Sequence, residues 1–162
     1  MINLAQFNVT PTQGLRKTLL LMNELETLAF NNVDFVTWVH RTFNSNCPGC
    51  IPGKIWKYMN ENFTYVSDRP FDEVLIAPYY MPTIKKGDCD DMSLFSKTCL
   101  DIIGGWFTKY MLLGKEKNKF THIVTFAHRG IYGNEYRDGV ILDGANNNFN
   151  IIPTKYNFFK LT

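Results

Sequence analysis

The chain has 162 residues, 45% hydrophobic and 15% aromatic, with 17 basic against 15 acidic side chains. That length carries one domain whose core buries roughly 70% of the unfolded surface, and the composition excludes a disordered chain. A net charge of +2, on scattered rather than striped lysines, argues against a nucleic-acid partner. No apolar run approaches the roughly 18–20 residues that span a bilayer. The first seven residues also lack the charged and apolar regions of a signal peptide.

In chain order, a short irregular lead turns at Thr10-Pro11-Thr12. Residues 15–30 carry leucines at 15, 19, 20, 21, 25 and 28, the period of an amphipathic helix. Asn31-Asn32 breaks it. Residues 33–43 predict a second helix with Phe35, Val36, Val39 and Phe43 as its apolar stripe, and 53–63 a short third with Ile55, Trp56, Met59 and Phe63. Residues 64–70 read as a brief extended segment, and 72–84, with Pro78 and Pro82, as irregular chain. A fourth helix begins near residue 89 and stops at Gly104-Gly105. Beyond it, 106–113 and 120–127 read as strands joined through 114–119. After a loop over 129–138 comes a strand at 139–142, with a final short strand at Ile151-Ile152. Helices first and an antiparallel sheet afterwards predict a single α+β domain.

The cysteines stand at 47, 50, 89 and 99. Cys47-Pro48-Gly49-Cys50 lies between helices rather than after a strand, which argues against a thioredoxin-like site. No second ligand pair follows, so zinc would lack its usual four ligands. A local structural pair, reduced or bridged, is the favoured reading, with a metal half-site behind it.

Cys89 is set in Gly87-Asp88-Cys89-Asp90-Asp91, a glycine turn and acids opening an apolar periodic run. Unpaired N–H groups and the helix dipole favour an anion at such a start, which predicts a lowered thiol pKa and a nucleophilic thiolate. The plain alternative is a small buried residue in a capped helix. Asp90 and Asp91 complement the dipole yet oppose a thiolate. A calcium site from Asp88, Asp90 and Asp91 lacks the spacing of a calcium loop, so no metal or cofactor is assigned.

Candidate bases are His40, His122 and His128, with His40 expected on a solvated helix face. If 120–127 pairs with 139–145 around a turn near residue 133, Val124 falls opposite Asp143 and His128 opposite Gly139. His122 then lies one diagonal from the Asp143 carboxylate. Thiol, imidazole and orienting carboxylate form the general triad arrangement. Asn146, Asn147 and Asn148 are rivals for the third position, because a side-chain amide also orients an imidazole.

Gly87-Asp88-Cys89-Asp90-Asp91 opening a helix, then Thr121-His122-Ile123-Val124, then Leu142-Asp143-Gly144, resembles the transglutaminase-like superfamily. The likeness is closest to its small bacterial and phage members with a Gly-Asp-Cys-Asp-Asp motif. Phe63-Thr64-Tyr65-Val66-Ser67-Asp68 and residues 72–78 resemble that subgroup's lead-in, so the likeness covers about residues 53–145. Gly144-Ala145 stands where the family often has Pro-Thr after the acid. The resemblance implies a papain-like α+β core in which Cys89 attacks an amide, His122 is the base and Asp143 orients it. It further implies a thioester acyl-enzyme, no cofactor, and a peptide or protein amide as substrate. The Cys89 backbone N–H is the natural oxyanion donor, and Tyr65 is the candidate for the second. A cytoplasmic or virion-associated location follows, with virion proteins as candidate partners. The rival readings are a non-catalytic virion subunit that keeps the fold and a protein-crosslinking acyltransferase.

Overall fold

A computed structural model describes residues 4–8, 14–68, 72–132, 135–137 and 139–162. The elements are β1 (Leu4–Asn8), α1 (Gly14–Phe30), α2 (Val33–Phe43), α3 (Ile51–Asn62), β2 (Thr64–Tyr65), β3 (Asp72–Ile76) and α4 (Met81–Ile84). They continue as β4 (Lys86–Gly87), α5 (Cys89–Ile103), β5 (Phe107–Glu116), β6 (Lys119–His128), β7 (Gly130–Tyr132), β8 (Glu135–Arg137), β9 (Val140–Leu142) and β10 (Phe158–Leu161). The architecture is mixed α and β, with a four-stranded antiparallel sheet in the order β10-β5-β6-β9. Among the described residues no helix is long and apolar enough to cross a membrane.

Helix α5 is the central element. Asp88 caps it and Asp91 closes the reciprocal bond of a capping box, satisfying N–H groups that a helix start leaves unpaired. Its residues from Asp90 to Ser96 are all buried. One side meets the aromatic cluster of α2 and α3, where Phe95 touches Phe35, Phe43 and Phe63. The other side lies on β6, where buried polar groups stitch helix to sheet. Ser93 Oγ donates to Ile123 O at 3.0 Å, and the Ser96 and Thr125 hydroxyls are 2.8 Å apart. The far face of the sheet buries Met111, Leu113, Val124 and Phe126 under the C-terminal segment. With both faces covered, the central residues of β5 and β6 are buried in unbroken runs.

The ladder pairs Thr125 with Leu142, Phe126 with Ile141 and Ala127 with Val140. That is the expected register, since one further step sets Val124 against Asp143. Other segments depart from the sequence reading. Within the lead, residues 4–8 are not irregular but pair antiparallel with β3, inside the stretch read as structureless chain, while the turn expected at Thr10-Pro11-Thr12 lies outside the described residues. Residues 64–65, by contrast, are extended as expected and pair parallel with β4. Helix α3 begins two residues early, because Pro52 fits its first turn. The 114–119 connection shrinks to a turn at Lys117-Asn118, with β5 and β6 continuing past an irregularity at Gly114. The 129–138 loop holds the β7–β8 hairpin. Ile151-Ile152 is not a strand; the final strand is β10, on the free edge of β5.

Candidate active site

Cys89 is the first residue of α5 and opens on a cleft of about 340 Å³. His122 lines the same cleft, with Asp88, Asp90, Glu73 and Leu112 among the other walls. The thiol is met by the backbone N–H of Ile123, next to His122 on β6, and by its own N–H. Burial nevertheless pushes the thiol pKa up to about 12, with the Asp88 and Asp143 carboxylates adding to the rise. The lowered pKa expected of a helix start is therefore corrected. A helix terminus contributes about 0.3–1 kcal/mol, less than the desolvation of a thiolate beside two carboxylates. The largest opposing charges are those of Asp88 and Asp143. At rest Cys89 is a neutral thiol.

His122 Nε2 lies 3.0 Å from Asp143 Oδ2, and the two side chains are 8% and 4% exposed. Little water reaches this hydrogen bond, so it is screened far less than a surface contact. With Nε2–H donated to the carboxylate, Nδ1 is the ring nitrogen left for proton transfer. The imidazole also stacks on Tyr156, centroids 5.4 Å apart.

Asp143 directly follows β9 and is held at every oxygen. Its Oδ1 accepts from Ala145 N at 3.1 Å. Its backbone carbonyl accepts from Trp56 Nε1 at 3.1 Å, and the same indole donates to Asn146 O at 3.2 Å. Asn60 Nδ2 adds a bond to Asn146 O at 3.3 Å. Helix α3 therefore clamps the loop that carries the acid. Gly144 has a steric reason: a Cβ there would lie 2.7 Å from Met92 Sδ and 3.0 Å from Met92 Cβ on α5. The rival amides are otherwise engaged or directed away. Asn146 bonds Ile151 O and Asn148 N, and Asn147 and Asn148 are exposed.

The acids that flank Cys89 divide by partner. Asp91 Oδ1 accepts from Ile76 N at 2.7 Å and Oδ2 from Asp88 N at 3.2 Å, tying helix start to β3. A Cβ on Gly87 would sit 2.6 Å from that Oδ2, so the motif glycine makes room for Asp91. Asp90 is buried, and its Oδ1 has no hydrogen-bond partner. Burial and the neighbouring Asp88 and Glu73 carboxylates hold its pKa well above the usual range. Asp88, Asp90 and Asp91 bring oxygens within 4.8 Å of one another, as do Asp68, Glu73 and Asp88. These two groups could hold a cation, and the second is assembled from distant chain, which local loop spacing does not reveal.

Tyr65 lies two residues from the nucleophile by strand pairing, opposite Gly87. Its pKa is raised by partial burial, with Cys89, Asp88 and Asp90 adding to the rise and a hydrogen bond to Ser67 opposing it. It is not among the residues lining the cleft. His40 is exposed on α2. His128 is buried, with Nδ1 3.1 Å from Gly130 O and its ring against Phe107. Cys47 and Cys50 form a disulfide, which resolves the open alternatives for that pair, and Cys99 is a buried free thiol.

Sequence reasoning missed Trp56 as a clamp and Tyr156 altogether. For Trp56 the signal was an indole N–H on a core-facing stripe, which needs a partner when buried. For Tyr156 there was none. The chain matches no family model, no curated protein and no solved structure.

Proposed function

We propose that the chain is a thiol-dependent amidohydrolase or peptidase with a papain-like core, in which Cys89, His122 and Asp143 act as nucleophile, base and orienter. The observation that carries this reading is the buried 3.0 Å bond from His122 to Asp143, beside the cleft on which Cys89 opens. An imidazole fixed by a carboxylate at one nitrogen and free at the other is what a nucleophile's base requires. Because the resting thiol is neutral, its proton passes to His122 Nδ1 as sulfur attacks the carbonyl carbon. The tetrahedral oxyanion takes the Cys89 N–H, with Tyr65 as candidate second donor. Collapse breaks the C–N bond, the imidazolium gives its proton to the departing amine, and a thioester remains. Water, deprotonated by His122, then releases the acid and restores the thiol. An amine in place of water would make the same site a crosslinking acyltransferase.

A non-catalytic virion structural or assembly subunit is the second reading. The raised Cys89 pKa favours it, since a neutral buried thiol is also what a structural cysteine shows. Incubation with p-nitrophenyl acetate followed by mass-spectrometric mapping separates the two. Acetyl transfer to Cys89 that disappears in His122→Ala supports the hydrolase. A Cys89 that stays unmodified while the protein remains folded supports the structural subunit.

A further inference from the structure

Tyr156 belongs to no motif, yet its ring lies flat against the imidazole of His122, the planes 8° from parallel. It is fixed from several directions. Its N–H donates to Pro153 O at 3.0 Å, and the N–H of Asn157 donates to Gly114 O on β5 at 3.1 Å. Its side chain packs on the cluster of Met111, Leu113, Val124 and Phe126. Leu113 is the residue opposite His122 in the β5–β6 ladder. The ring is thus anchored to the two strands that set the position of the histidine.

Two physical consequences follow. One hydrogen bond to Asp143 holds an edge of the imidazole but leaves its plane free to tilt, and a parallel ring removes that freedom. The tyrosine face is also electron-rich and favours imidazolium over neutral imidazole. This matters because the thiol at rest gives up its proton reluctantly, so the transfer depends on how well the charged ring is supported. Lys155 Nζ lies 5.1 Å from the centre of the same tyrosine ring and draws on the same π density. The electrostatic share therefore sits low in the usual range.

We propose that Tyr156 is a positioning residue for His122, fixing the imidazole plane and supporting the imidazolium formed when the histidine takes a proton. The use of that proton rests on the thiol-hydrolase reading; the effect on the imidazole does not. Nitrogen NMR of His122 across pH tests it in the wild type, Tyr156→Phe and Tyr156→Leu. Wild type and Tyr156→Phe should show one tautomer, protonated at Nε2, with equal proton affinity. Tyr156→Leu keeps bulk without the ring and should mix tautomers, with a proton affinity lower by about two- to fivefold. Acetylation of Cys89 by p-nitrophenyl acetate should slow by at least that factor in the leucine variant only. Should Tyr156→Leu not fold, Tyr156→Trp keeps the stack and must behave as wild type. Wild-type tautomer and proton affinity in Tyr156→Leu, or an equal loss in Tyr156→Phe, overturns the proposal. A wild type that is never acetylated defeats the hydrolase reading alone, and the imidazole spectra still decide the role of Tyr156.

Discussion

Strand β6 carries two histidines six residues apart, on the same face and both largely buried, and they are surrounded very differently. His122 has a carboxylate at one nitrogen, an aromatic ring on its face and a cleft beside it. His128 has a backbone carbonyl and stacks against Phe107, with Phe126 close by. A carboxylate fixes the tautomer of an imidazole and also offsets the charge of an imidazolium. What marks His122 as the candidate base is therefore its carboxylate together with the access in front, since burial and strand position are common to both histidines.

The largest expected effect sets the two apart directly. His122→Ala should slow acylation of Cys89 by about 10²–10⁴-fold, the usual contribution of a positioned base. His128→Ala should leave acylation within about twofold while lowering stability by about 1–3 kcal/mol, through a lost hydrogen bond and ring contacts. Initial rates and thermal melts on both variants give the comparison, and a reversal would exchange their roles.

The next effect concerns pH. With its pKa raised from 9.0 to about 12, Cys89 is in its neutral form throughout the physiological range. Direct alkylation needs the thiolate, so its rate should climb about tenfold per pH unit from 7 upward. At pH 7 the thiolate fraction should be about 10³-fold below that of an ordinary thiol, from the difference between 9.0 and about 12. Iodoacetamide rates at Cys89 across pH 6–10 measure this. A fast plateau near pH 6 would mean a preformed thiolate–imidazolium pair instead.

Removing the charge behind His122 should weaken it as a base while leaving its place on β6 unchanged. Asp143→Asn is expected to cost roughly ten- to a thousandfold in acylation, less than the about 10⁴ of the serine-protease template. Asn146→Ala should act only through the loop's backbone position and cost less. A silent Asp143→Asn would reduce the site to a dyad.

The smallest effect tests the clamp that places the acid. Gly144→Ala puts a methyl into Met92 and should destabilise by about 1–3 kcal/mol, with a several-fold loss of acylation as the carboxylate shifts. Trp56→Phe removes the indole bonds to Asp143 O and Asn146 O and should weaken acylation by a similar small factor. Both are read against thermal melts, so that a loss of rate without a loss of fold identifies positioning.

Local signals made much of this legible. Leucine periodicity marks α1, the acids around Cys89 mark a capped helix start, and strand length with turn position sets the β6–β9 register that brings His122 to Asp143. What stayed hidden is non-local. Residues 72–76 form a strand because β1, about 70 residues earlier, supplies the partner, and the flanking Pro70 and Pro78 masked it. Ile151-Ile152 has the side chains of a strand, but Ile151 is exposed and Pro153 follows; the free edge of β5 takes Phe158–Leu161 instead. The thiol pKa depends on burial and on Asp143, which arrives from 54 positions along the chain, so a helix-start rule alone gave the wrong sign.

The most direct measurement is mass-spectrometric mapping of the acetyl group after brief exposure to p-nitrophenyl acetate, on wild type and His122→Ala in parallel. A triad at Cys89, His122 and Asp143 predicts acetyl on Cys89 in the wild type and almost none in the variant at equal time. Equal acetylation of Cys89 in both would contradict it, and so would a folded wild type that leaves Cys89 untouched.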